Sequence, residues 1–280
     1  LARFQGEKNR EQLLIDLSCR IIYTGDMRRV IAIANQKGGV GKTTTAINLG
    51  AGLAQLGYRV ALVDLDSQGA MTASFGLDPY KVGSSTASLL LERHLALSHI
   101  MRYCRERLMI GPASSELLSA EYRLLKEPDR TKRLRQSIEQ SKDEFDYVII
   151  DTPPNLGLLT VNGLVAAGEL LIPVKTDYLA MRGVRPLLES VWLIRERIHH
   201  DLNLLGILPT MYVYDSAHSE GVIKEMKTVF KSKLLDTVIP LDEAAAVAPA
   251  TRQAVMDFKP NSAAAAAYRR LAEEVSDELR

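Results

Sequence analysis

Cysteine is nearly missing: Cys19 and Cys104 stand alone in 280 residues. Two isolated thiols supply neither a disulfide framework nor the paired spacing of a metal or iron–sulfur site, and they fit a reduced cytoplasm. An excess of either charge is missing too. Thirty-five Lys and Arg oppose 34 Asp and Glu, a formal net charge of +1, which excludes a globally basic coat for nucleic acid; any such contact needs a local patch. No apolar run approaches the roughly 18 residues of a membrane span. The closing LAEEVSDELR is acidic and narrowly apolar, unlike the broad apolar face and basic flanks of a membrane-surface helix. With 46% hydrophobic and 25% charged residues, the composition is that of a globular protein of one large domain or two small ones.

What is present is a glycine turn with two lysines. NQKGGVGKTT, Asn35 to Thr44, follows the apolar β-branched run Arg29 to Ala34 and precedes Ala46, Ile47, Leu49, Ala51 and Leu53 at helical spacing, so it is a strand-to-helix turn. Gly38, Gly39 and Gly41 let the backbone enter positive φ and aim successive N–H groups at an anion. The helix that follows adds its positive end and its unpaired amides. Lys42 then reaches the β- and γ-phosphates and the Thr43 hydroxyl ligates Mg²⁺, as the phosphate-loop pattern requires. The plain alternative is a glycine-rich turn with incidental lysines. Lys37 is the departure from the general pattern.

Two further strands end in acids. Tyr58 to Leu65 is apolar and carries Asp64 and Asp66 at its end; Phe145 to Ile150 leads into Asp151-Thr152-Pro153-Pro154. Parallel α/β sheets bind ligands at the carboxyl ends of their strands, which places these acids beside the phosphate loop. A Walker B reading has Asp151 hold Mg²⁺ through its water shell. The prolines stiffen that turn, so movement is expected at Gly157. Leu170 to Val174 and Leu204 to Met211 read as more strands with helices between, and the alternation predicts one doubly wound, mostly parallel α/β sheet with helices on both faces.

KGGVGKTT, Lys37 to Thr44, resembles the deviant Walker A box of the ParA/MinD family of ATPases. The resemblance runs from about Met27 to Leu279 and includes the closing AYRRLAEEV. It is nearest to the small chromosome or plasmid partition ATPases without a separate helix-turn-helix domain. It implies a P-loop ATPase domain over residues 27–280, ATP and Mg²⁺ as cofactors, and an ATP-dependent homodimer. In such a dimer the first lysine, Lys37 here, contacts the nucleotide of the partner subunit while Lys42 serves its own. It further implies non-specific DNA binding, a DNA-bound ParB-like protein that stimulates slow hydrolysis, and a cytoplasmic, nucleoid-associated location. A cargo-positioning relative of the family would share every catalytic residue, and a MinD-like membrane ATPase is disfavoured by the C-terminus.

Carried over residue by residue, the resemblance makes Lys37, Lys42 and Asp66 catalytic, with Asp66 aligning water near the metal and Asp64 in support. Nucleotide contacts fall on Lys37, Gly38, Gly39, Val40, Gly41, Lys42, Thr43, Thr44, Asp64 and Asp151, and metal contacts on Thr43, Asp66 and Asp151. The segment Thr237 to Pro240 matches the family's last strand, so Met211, Pro240 and Asp242 are placed near the base. Ser67 replaces a usual proline and Asp242 a usual asparagine. The arginines that family members carry after the TMY stretch and in the stretch after Ile239 are absent here. A substitute DNA surface is Lys224, Lys227 and Lys231 at helical spacing, extended by Lys233, with Arg269 and Arg270 near the C-terminus. Residues 1–26 read as an upstream extension; a short regulatory helix through Leu13, Leu14 and Leu17 is the competing reading.

Overall fold

The computed structural model describes residues 28–141, 144–177 and 183–277, so both readings of residues 1–26 lie outside the described residues. In chain order the elements are β1 (Arg29–Ile33), α1 (Lys42–Gln55), β2 (Val60–Asp64), α2 (Ala70–Ser74), α3 (Thr86–Leu91), β3 (Arg102–Arg105), β4 (Leu108–Gly111), α4 (Leu117–Leu124) and α5 (Arg133–Glu139). They continue as β5 (Tyr147–Asp151), α6 (Leu158–Ala166), β6 (Glu169–Lys175), α7 (Val184–Arg197), β7 (Asn203–Thr210), α8 (Ala217–Phe230), α9 (Glu243–Val247), α10 (Val255–Phe258) and α11 (Ala263–Asp277).

The apolar runs form one seven-stranded sheet in the order β3-β4-β2-β5-β1-β6-β7. All neighbours are parallel except β3 and β4. Strands covered on both faces cannot alternate apolar with polar, and every residue of β2 and β5 is buried. One face packs against α1, α10 and α11 through Leu49, Leu53, Met256, Tyr268 and Leu271. The other carries α6 to α8 through Leu164, Leu187 and Met226, and α3 to α5 through Leu89, Leu117 and Leu134. This is the doubly wound architecture expected. The approach of α11 is close enough to exclude a side chain from α1: a Cβ on Gly52 would stand 2.7 Å from the Ala272 Cβ.

Two features differ from the sequence expectation. The antiparallel edge pair β3–β4 was not foreseen, because its turn uses Arg107 at φ 60° instead of glycine and Tyr103 on β3 is 75% exposed. Thr237 to Pro240 is not a strand of the sheet. It meets the end of β7 through the isolated bridge of Tyr212 with Pro240 and through the Ile239 N–H, which donates to the Pro209 carbonyl.

The sheet's lower edge is tied by one buried fork. Arg29 donates from Nε and Nη2 to the two Glu169 oxygens, each at 2.7 Å, and from Nη1 to the Val275 carbonyl, joining β1, β6 and α11. Burial works against the Arg29 charge, yet Glu169 outweighs it and holds the guanidinium above its ordinary value. Arg29→Met leaves the Glu169 carboxylate buried and unpaired, a loss of about 3–5 kcal/mol in denaturant unfolding. Adding Glu169→Leu should recover most of it. A single variant as stable as the parent would show that the fork ties nothing.

Candidate nucleotide site

The turn between β1 and α1 takes the shape its glycines allow. Gly39 and Gly41 have φ of 68° and 87°, where a Cβ is strained. A Cβ built on Gly38, Gly39 or Gly41 meets nothing within 4 Å, so the inner face of the turn is an open cradle. Its ends are anchored. Asn35 donates to the Pro173 carbonyl and accepts from the Lys37 N–H, and the Thr210 hydroxyl donates to the Val40 carbonyl. No side chain caps α1, so the amides of its first turn stay available for an anion.

Beneath the cradle, Asp64 and Asp151 end adjacent strands in register. Asp64 is fully buried and takes up the N–H and hydroxyl of Thr72 through one oxygen and the Asp66 N–H through the other. The Thr43 hydroxyl donates to Asp151 Oδ2 at 2.6 Å, while Asp151 Oδ1 is buried without a partner among the described residues. Burial, then the nearby Asp64 charge, pushes Asp151 up to about 8. Burial also raises Asp64, to about 6. Lys42, 8% exposed, is lowered by burial and supported by the charges of Asp151 and Asp66. The orphaned Asp151 oxygen, the adjacent Thr43 hydroxyl and the open amide cradle fit a magnesium-bound phosphate chain, because a hard cation takes oxygen donors and keeps several waters.

The two lysines of the turn go to different places. Lys37 lies at the rim, its side chain 40% exposed and its ammonium 3.3 Å from an Asp177 carboxylate oxygen just beyond β6. Asp66 is half-buried; one of its oxygens accepts the Gln68 N–H. Sequence reasoning missed Asp177, Thr72 and Thr210. Asp177 had a signal, since it is an acid just past a parallel strand's carboxyl end.

An AAA-domain family matches residues 28–204. The sporulation initiation inhibitor protein Soj of Bacillus subtilis is 40% identical over 250 residues, 89% of this chain and 99% of that protein. The chromosome partitioning protein ParA of Caulobacter vibrioides is 35% identical over 249 residues, 88% of this chain and 93% of that protein. The chain belongs to the ParA/MinD family of P-loop ATPases. Among solved structures, cobyrinic acid a,c-diamide synthase from Mycobacterium smegmatis with bound ATP analog and magnesium superposes with a TM-score of 0.76 at 38% identity, covering 88% of this chain and 93% of that one.

The region expected near the base in a ParA/MinD member is held by local backbone geometry and by hydrogen bonds within the chain. Met211 holds φ 55°, a left-handed conformation outside glycine, and its carbonyl accepts from the Thr176 hydroxyl. Asp242 has both oxygens engaged, by the Ala244 N–H and the Ala264 N–H, so its carboxylate joins α9 to α11. That bonding gives Asp242 a structural task which the expected base contact omitted. The basic stripe needs correction as well. α8 ends at Phe230 and Lys231 turns out at φ 50°, so only Lys224 and Lys227 share its exposed face. Lys233 donates its ammonium to the Leu204 carbonyl at 2.8 Å, and Arg269 donates to the Pro260 carbonyl; both are half-buried. Arg270 is exposed.

The buried carboxyls predict a pH dependence. Asp151 rises from 3.8 to about 8, so across that window the folded chain holds a proton that the unfolded chain releases. Stability of the nucleotide-free protein therefore falls as pH rises through the window and levels off above it. Asp151→Asn should flatten the slope. Melting curves in EDTA from about pH 5 to 9 test this, and an unchanged slope would place the titration elsewhere.

Proposed function

We propose that this chain is an ATP-dependent dimerising switch that hydrolyses ATP slowly, binds DNA without sequence preference when paired, and serves chromosome or plasmid partition with a DNA-bound ParB-like stimulating protein. The observation that carries the reading is the divergence of Lys37 and Lys42. One is buried among the carboxylates of its own site, and the other stands at the rim where a second chain can be met. The names of the relatives, Soj and ParA, support partition in particular.

In this reading the loop amides, Lys42 and Thr44 bind and orient the phosphate chain of ATP. Thr43 and Asp151 would hold a magnesium ion, which would supply neutralisation of phosphate charge. Lys37 leaves Asp177 to meet the partner chain's phosphates, so pairing depends on ATP in both chains. Asp66, on a short turn with one oxygen already engaged, orients the attacking water as a positioned base. Hydrolysis cleaves the γ-phosphate as inorganic phosphate, whose departure removes the charge that draws Lys37 across, and the pair opens. DNA contact falls on Lys224 and Lys227, with the exposed Lys231 close by in sequence and the exposed Arg270 on α11; paired chains double the phosphates neutralised and so steepen the salt dependence. No described helix is long and apolar enough to cross a membrane. DNA binding would place the protein on the nucleoid.

Three variants separate the steps. Lys42→Ala should abolish ATP binding by calorimetry. Lys37→Ala should bind ATP and stay monomeric in light scattering, since two triphosphates brought together without it repel by several kcal/mol in order of magnitude. Asp66→Ala should pair with ATP and fail to separate. A Lys37→Ala protein that pairs normally would withdraw the dimer mechanism.

For the DNA surface, Lys224→Glu with Lys227→Glu should leave ATP-dependent pairing intact and lower DNA retention. The loss should be steepest at low salt. Retention equal to the parent at every salt concentration would move the DNA surface off α8.

A further inference from the structure

Helix α6 begins without a cap of its own. Gly157 occupies its N-cap position and offers no side chain, leaving the first amides of a nine-residue helix without intrahelical acceptors. The acceptor comes from elsewhere. Glu121, on α4 and 37 residues earlier, takes the Leu158 N–H at 2.6 Å on Oε1, and the same oxygen lies 3.4 Å from the Leu159 nitrogen. A carboxylate at a helix N-terminus is doubly favoured, by charge-assisted hydrogen bonds and by the helix dipole. The glycine is needed for this approach, since a Cβ at 157 would stand 2.5 Å from that oxygen.

The segment between this cap and the reaction centre is short. Asp151 ends β5, and Thr152 donates its hydroxyl to the Ile33 carbonyl, fixing the turn to β1. Pro153 and Pro154 follow, then Asn155, whose side chain accepts the Gly157 N–H and whose carbonyl accepts the Thr160 hydroxyl. The arch from Thr152 to Leu158 is thus pinned to the sheet at one end and to Glu121 at the other. α4 itself is seated on the core by Leu117, Ala120 and Leu124, so its carboxylate is delivered from a rigid support.

We propose that Glu121 is a positioning residue of the ATPase centre: its carboxylate fixes the N-terminus of α6, and through the Thr152–Gly157 arch it sets the geometry beside Asp151 during turnover. The proposal rests on the ATPase reading above. Small displacements of groups around a reacting phosphate lower turnover steeply, whereas the residues assigned to nucleotide binding, the loop and Lys42, belong to the β1–α1 turn and not to the arch.

Glu121→Ala and Glu121→Gln, purified as full chains, provide the test. With Glu121→Ala, ATP affinity should stay within about twofold of the parent while kcat falls about tenfold or more, and the Leu158 and Leu159 amides should exchange faster with deuterium. Glu121→Gln keeps an acceptor oxygen and should recover most of the turnover and the amide protection; a role in overall folding alone would move the melting temperature without this split. Turnover of Glu121→Ala equal to the parent, or slow turnover that Gln does not rescue, overturns the proposal. Absence of ATP hydrolysis in the parent itself would instead strike the ATPase reading.

Discussion

Two carboxylates that close parallel packing brings to the ends of neighbouring strands dominate this molecule's chemistry. Asp64 and Asp151 are register partners on β2 and β5, both inside the protein. Such a pair is unfavourable unless donors surround it. The chain provides them unevenly. Thr72 satisfies Asp64 twice, whereas Asp151 receives one hydroxyl from Thr43 and keeps one oxygen without a partner among the described residues. The first acid is thereby a fixed structural post. The second is left electrostatically unfinished at the floor of an amide-lined cradle, beside a lysine whose own charge is weakened by burial.

Rigidity and freedom are distributed around that floor. Below it, the Arg29–Glu169 fork ties β1, β6 and α11, and every residue of the central strands β2 and β5 is buried. Above it, the groups that the proposed switch would move stand on turns: Asp66 after β2, the proline arch after β5, and Lys37 at the rim opposite Asp177. Each turn is attached to the sheet by a few named hydrogen bonds, with single apolar residues such as Leu65 and Leu156 packed on the core beside them. Local rearrangement of such turns costs far less than unfolding the sheet.

Much of the site was legible in the sequence because its motifs are local. Three glycines, two lysines and two threonines within one strand-to-helix turn determine a phosphate cradle, and an acid closing an apolar run points to a strand end. The base region and the basic stripe were less legible. Asp242 is engaged by amides from α9 and α11, the second from residue 264. Lys233 reaches back to Leu204. Partners far apart in the chain leave no pattern in either stretch. The β3–β4 edge escaped for a different reason, since a non-glycine turn and a half-exposed strand lack both the breaker and the buried run that periodicity detects.

By itself the sequence determined five of the seven strands, β1, β2, β5, β6 and β7, the glycine turn and the acids at the ends of two of the strands, because these depend on backbone freedom, side-chain periodicity and residue chemistry within a few positions. Only the tertiary structure decided that the lysines of one turn separate, Lys42 inward and Lys37 to Asp177, and that Glu121 caps a helix 37 residues away. The physical reason is that hydrogen bonds and ion pairs select partners by distance in space. Burial then sets what each charge is worth, and neither quantity exists until the sheet has brought its strands together.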